Sequence, residues 1–383
     1  MKQEKNMDGN NKKTNRVGIV TIFNVLNYGA VLQALALYKY LETIGVEPTI
    51  INYVPKQLKH KTQQLIYNKD LSFFMNLKSF IKRFICKVCL HQEKYFHQFI
   101  FENMSLTYPC DKIDNFVING FQTIIVGSDQ VWNPEYTDNI LDENYILQNV
   151  TTNEVRKMSF SSSLGSCILN EKNRTILKES LSTYCAISVR EEYAKKLLNS
   201  IGINNVTLTC DPTFLLNIEQ WNNIANHSTS YLTQLKFAYL LVYTFDHDKR
   251  CFQTANIIAK KMNLRVVSIS YLARKPKCVY RQFSSLSPAD FLLLFKNSQF
   301  VVTNSFHGTC FSLIYGKDFI SINKTNNPQR IQNLLSSLNL SDRICYQVSD
   351  LKLNELHIDF TSVEKSIQNM RLEAMSYLKQ NLC

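Results

Sequence analysis

Short β-branched apolar runs alternate with longer stretches of helical periodicity along most of the chain. Residues 17–23 form a continuous apolar run of strand length. A polar turn over 24–29 leads into residues 30–41, which are rich in helix formers and end before Gly45. A second strand is predicted over 48–53. Strand, helix and strand in that order predict a βαβ unit, whose crossover requires a parallel sheet. Further strands are predicted at 123–126, 157–160, 186–189 and 206–209, with a helix over 191–198. Polar, Asn/Ser/Thr-rich residues 221–234 interrupt the rhythm and read as a boundary.

A second βα series follows it. Strands are expected at 237–243, 265–270, 300–303 and 319–322, and helices at 249–262, 307–315, 329–338 and 363–382. Ser287 and Pro288 supply the N-cap and first position of another helix. The expected fold class is α/β, two Rossmann-like parallel-sheet domains. The first spans 16–220, the second 235–350, a disordered tail occupies 1–15 and a closing helix 361–383. Residues 56–104 depart from the pattern. Phe73, Phe74, Leu77, Phe80, Ile81, Phe84, Ile85 and Val88 recur at helical spacing among Lys78, Lys82, Arg83 and Lys87. This predicts a basic helical insertion in the first domain. Two readings stand for it: an apolar stripe packed on the sheet, or a peripheral membrane contact through 71–100.

Length and composition narrow the class. A chain of 383 residues exceeds one ordinary core, and no apolar run is long enough to span a bilayer. The first residues lack the apolar core of a signal peptide, so the expected compartment is the cytoplasm, with association at the inner membrane face left open. Of the 11 cysteines, most stand alone inside apolar runs, as reduced core thiols do. Cys86 and Cys89 make half a zinc site at most, so no metal is expected. The net charge of +12 favours an anionic partner, but no reading motif for nucleic acid accompanies it.

Candidate chemistry gathers at strand ends, where parallel α/β sheets place their ligands. Asn27, Tyr28 and Gly29 precede a helix, where glycine permits close backbone approach and free N–H groups favour an anion; a simple βα turn is the other reading. Ser128, Asp129, Gln130 and Trp132 follow the 123–126 strand. There Trp132 could floor a sugar while the polar side chains bind hydroxyls, or it could be core above an Asp cap. Asn304, Ser305, His307, Gly308 and Thr309 crowd a histidine at a helix start, where the dipole favours neutral imidazole or a bound anion. Arg190 ends a strand and offers a planar fork for a carboxylate or phosphate, or pairs with Glu191 or another acid. Cys310, one turn after His307, is a candidate thiol partner that nothing visible orients.

Taken together, the segments 27–34, 126–133, 187–191, 211–216 and 303–309 resemble the polysaccharide pyruvyl transferase family, in order and over nearly the whole chain. The resemblance implies a fold similar to the glycosyltransferase-B type. It implies transfer of a pyruvyl group from phosphoenolpyruvate, as co-substrate, onto a sugar of an envelope or exopolysaccharide precursor as a ketal, with no other cofactor. Arg190 and His307 map onto the family's donor site and carry the catalytic expectation. Asn304, Ser305, Gly308, Thr309 and Arg330 are expected to bind the donor. Asn27, Tyr28, Gly29, Ser128, Asp129, Gln130 and Trp132 are expected to line the cleft toward a sugar or lipid-linked oligosaccharide. The alternatives are a nucleotide-sugar glycosyltransferase of the same architecture and a non-catalytic binding protein of a polysaccharide pathway.

Overall fold

A computed structural model describes residues 15–58, 92–228, 230, 233–244, 248–270, 275–323 and 329–382. Residues 1–14 of the expected tail, the Cys86/Cys89 pair and most of the basic insertion therefore lie outside the described residues; of the insertion, 92–103 are helical.

The first half is a parallel sheet in the order β2 (Glu47–Ile50), β1 (Arg16–Val20), β3 (Thr123–Val126), β4 (Arg156–Ser159). Isolated bridges Met158↔Ala186 and Ser162↔Val189 continue it to β5 (Ile187–Val189), which pairs with β6 (Val206–Leu208). The second half has six parallel strands in the order β12 (Ile344–Cys345), β11 (Asp318–Ile322), β10 (Phe300–Thr303), β7 (Tyr239–Tyr243), β8 (Arg265–Ile269), β9 (Val279–Phe283). The centre strands are buried along their full length, which is why their sequences read as unbroken apolar runs.

Three elements escaped the pattern reading for physical reasons. The helix Glu171–Leu181 is mostly polar and buries only Asn173, Leu177, Ser180 and Leu181, so its apolar stripe is thin. Strand β9 holds Arg281 and Gln282 at a half-open sheet edge, and β12 has two residues. The 221–234 stretch expected as a boundary begins inside the helix Ile218–Asn226. There Trp221 is fully buried, donates its indole N–H to Thr213 O at 3.0 Å and meets Phe311 edge-on at 5.1 Å.

The two halves share a core. Tyr28, at the start of the helix Tyr28–Thr43, stacks on Phe291 at 4.5 Å and 10°, and its hydroxyl donates to Leu286 O at 3.2 Å. The long helix Phe360–Leu382 returns from the second half to the first: Tyr377 Oη donates to Ser159 O at 2.9 Å and Arg371 Nε to Phe214 O at 2.6 Å. The carboxyl ends of β1, β3, β5 and β10 consequently face one another across the junction.

Candidate active site

The loops leaving those strand ends line a cavity of about 430 Å³. From the first half come Asn27, Asp129, Gln130 and Tyr136; from the second come Asn304, Ser305, Phe306, His307, Asn323 and Arg330. A second cavity of about 390 Å³ lies on the far side of Phe306 and Arg330, with Arg190, Asp211, Phe214 and Leu334 in its walls.

Each side chain is set by a local feature. After β3 the chain turns through Gly127 at φ +119°, where a β-carbon would stand 2.3 Å from Phe160 O. Only glycine fits there. Asp129 follows at φ +65° and lies 4.0 Å from Arg190 Nη2. After β10, Ser305 caps the helix Phe306–Ile314 by accepting from Gly308 N at 3.3 Å, and this presents His307 in the first turn. The imidazole projects out of its own half and abuts the start of the helix Tyr28–Thr43. A β-carbon added to Gly29 would sit 2.0 Å from His307 Nδ1.

Asp211 holds the other side of that ring. As the cap of the short 3-10 helix Pro212–Leu215, its Oδ1 accepts from Thr213 N at 3.0 Å and Thr213 Oγ1 at 2.8 Å. Its Oδ2 accepts from Arg190 Nη1 at 2.7 Å and lies 3.5 Å from His307 Nε2. Burial alone would push this carboxyl up, but His307, Arg190 and the Thr213 N–H together hold it well below the usual carboxylate range. Arg190 also donates Nε to Glu191 Oε1 at 3.1 Å, and that carboxylate accepts from Ser163 Oγ at 2.6 Å. Burial works against the guanidinium's charge, yet Glu191, Asp211 and Asp129 outweigh it and raise its pKa further.

Arg330 is the second guanidinium. It borders both cavities, with its Cζ 5.6 Å from the Phe306 ring centroid, while Arg190 Cζ lies 4.7 Å from the same ring. Oriented with its oxygen toward them, the Gln130 amide accepts from Arg330 Nη1 at 3.1 Å, Nη2 at 3.2 Å and Tyr136 Oη at 3.1 Å. Burial and the neighbouring Arg190 both lower the Arg330 pKa. Tyr136 shifts upward through burial and the Asp129 charge.

A family model described as polysaccharide pyruvyl transferase matches residues 27–326, most of the chain, including the carboxyl ends of β3, β5 and β10. The chain belongs to the polysaccharide pyruvyl transferase family. No curated protein sequence matches it. Among solved structures, a UDP-N-acetylglucosamine 2-epimerase aligns at 12% identity over 97% of this chain and 96% of its own, with a TM-score of 0.52. A putative UDP-N-acetylglucosamine 2-epimerase from Listeria monocytogenes aligns at 13% identity over 96% of each chain, with a TM-score of 0.51. At these identities the likeness is one of fold, and the fold is the two-domain glycosyltransferase-B type.

The site residues expected from the sequence divide into cavity residues and supports. Asn27, Asp129, Gln130, Asn304, Ser305, His307 and Arg330 reach the first cavity. Trp132 does not: it is fully buried, with its indole N–H donating to Tyr145 O at 3.1 Å, so it is core and not a sugar platform. Tyr28 is likewise packed away, and Ser128 is buried with its hydroxyl on Ser161 O at 3.1 Å. Gly308 gives its N–H to the Ser305 cap, and buried Thr309 bonds Ser305 O at 3.1 Å and shares a hydrogen bond with Ser321 Oγ at 2.8 Å. Neither has a group left for a donor anion. Arg190, expected to grip the ligand, gives Nε to Glu191 and Nη1 to Asp211, the acid-paired alternative, while its Nη2, 4.0 Å from Asp129, is buried without a hydrogen-bond partner among the described residues. The Cys310 thiol is fully buried and burial pushes it up, which disfavours a thiolate beside the ring. Asp211 and Tyr136 went unassigned in the sequence; the Asp-Pro-Thr cap signal at 211–213 was present, but nothing local says what its second oxygen faces.

Proposed function

We propose that the protein transfers the pyruvyl group of phosphoenolpyruvate to two hydroxyls of a sugar acceptor, with His307 as the proton-transfer group and Arg330 as the cation facing the leaving phosphate. The observation that carries this reading is one cavity bordered by His307 and Arg330 from one half and by Asn27, Asp129 and Gln130 from the other. Its volume of about 430 Å³ lies within the range of small-molecule sites.

The atoms balance as follows. One acceptor oxygen attacks C2 of the enol as C3 is protonated, which breaks the double bond and makes the methyl group. The second acceptor oxygen then displaces phosphate at the same carbon. One hydroxyl proton ends on the methyl, the other leaves with phosphate. Protonation at carbon is the difficult step, and an imidazole within the cavity suits it. A guanidinium fits the charge that develops on phosphate through paired N–H donors. Uncharged Asn27 and Gln130 and the acidic Asp129 suit sugar hydroxyls.

Purified protein incubated with phosphoenolpyruvate and candidate sugar or lipid-linked sugar acceptors should release phosphate only when an acceptor is present. His307→Ala should abolish that release with circular dichroism unchanged. Undiminished turnover by the variant would overturn the role given to His307.

A further inference from the structure

The imidazole that carries this chemistry belongs to the second half of the chain, yet two groups against it belong to the first. The ring packs on Gly29, and Nε2 lies 3.5 Å from Asp211 Oδ2. Asp211 is also a fully buried carboxylate bonded through both oxygens. Both Thr213 hydrogen bonds fall on Oδ1, so the group cannot rotate without losing them. Oδ2 is left between Arg190 and the ring. Arg190 is fixed in turn by Glu191, and Glu191 by Ser163. The chain Ser163, Glu191, Arg190, Asp211 therefore anchors one carboxylate oxygen at the imidazole.

We propose that Asp211 is a positioning residue: it holds the His307 proton on Nε2 and so assigns Nδ1 to proton exchange with the substrate. A carboxylate oxygen only accepts, so the ring nitrogen facing it must carry hydrogen. Nδ1 is then the basic nitrogen of the neutral ring, on the side that packs against Gly29, two residues after the cavity residue Asn27. When the ring takes up an acceptor proton at Nδ1, the imidazolium sits beside a fixed negative charge, and Nδ1 returns the proton to the enol carbon. Arg190, on this view, acts on the reaction through Asp211. The inference rests on His307 being the proton-transfer group, but the tautomer it specifies can be read without turnover.

The experiment uses the full chain labelled with ¹⁵N in histidine, and His307 is assigned among the seven histidines by the signal lost in His307→Gln. Long-range ¹H–¹⁵N correlation of the neutral ring should give a pyrrole-type Nε2 and a pyridine-type Nδ1. Asp211→Asn should shift both toward a tautomer mixture. Thr213→Val, which removes one anchor from Oδ1, should shift them less in the same direction and serves if Asp211→Asn does not fold. In the transfer assay, Asp211→Asn should lose roughly 10²–10⁴-fold in kcat, the scale seen when a triad carboxylate is lost, with the phosphoenolpyruvate KM nearly unchanged, and Asp211→Glu should recover part of it. A wild-type ring protonated on Nδ1, or ¹⁵N shifts indifferent to both variants, overturns the proposal. A correct tautomer pattern with no transfer activity would instead count against the reaction alone.

Discussion

Gly29 and His307 stand in contact so close that no side chain can be added to the glycine. A β-carbon there would fall 2.0 Å from His307 Nδ1 and 2.2 Å from Cγ. The contact joins the first helix of one half to the cap of a helix in the other, and it sets how far the imidazole enters the cavity.

Gly29→Ala should consequently displace the ring and reduce transfer by at least about 10²-fold, the scale expected for ångström-level misplacement. Alanine is the better helix former by about 1 kcal/mol, so in isolation the change should stabilise. In a His307→Gly background, which removes the obstacle, Gly29→Ala should raise the unfolding midpoint. In the native background it should lower it. A double-mutant cycle by chemical denaturation reads the change of sign.

The two guanidiniums separate in the same spirit. Arg190→Ala leaves buried Asp211 and Glu191 without the cation that both bond. Breaking a buried pair in this way costs about 3–5 kcal/mol, visible in the denaturation midpoint. Arg330→Ala should cost less stability but raise the phosphoenolpyruvate KM about 10- to 100-fold, from loss of a charge-assisted hydrogen bond worth about 1.5–3 kcal/mol.

Trp132 and Cys310 give a contrasting expectation. Trp132→Ala should destabilise by about 3–5 kcal/mol through the cavity it leaves, while Trp132→Phe, if folded, should keep the acceptor KM. Cys310→Ala should retain activity, and the native enzyme should resist iodoacetamide at this thiol, since burial keeps it protonated.

Asp211 also makes a pH signature. Its folded pKa lies below the unfolded value, so its contribution to stability is complete above about pH 4, where an unfolded aspartate ionises. That contribution drains away as pH falls further, because the unfolded chain then binds the proton more readily. Denaturation midpoints of wild type and Asp211→Asn, measured from pH 7 down to pH 3, should differ most at the upper end and converge toward the lower.

The strand-to-helix rhythm carried most of this architecture into the sequence, because central parallel strands must be apolar throughout and the connecting helices must begin at caps. Ser287, with Pro288 next to it, marks its helix start, and the helix Lys249–Met262 has the limits that its periodicity predicts. His307 was recognisable because a histidine among Asn304, Ser305 and Thr309 at a helix start is chemically conspicuous. Partners were not legible. Trp132 and Arg190 looked exposed to ligand because sequence lists neighbours along the chain, while their fates depend on Tyr145 and Asp211, which lie 13 and 21 residues further on in other elements. The same long-range closure hid Asp211.

The helix Phe360–Leu382 belongs by packing to the half of the molecule that was made first. During synthesis the amino-terminal half must therefore wait for these donors: the carbonyl of Phe214 for 157 further residues and that of Ser159 for 218. The first half is not complete without this late segment. A fragment cut near residue 230 should collect in aggregates, whereas supplying 360–382 as a separate peptide should restore its solubility.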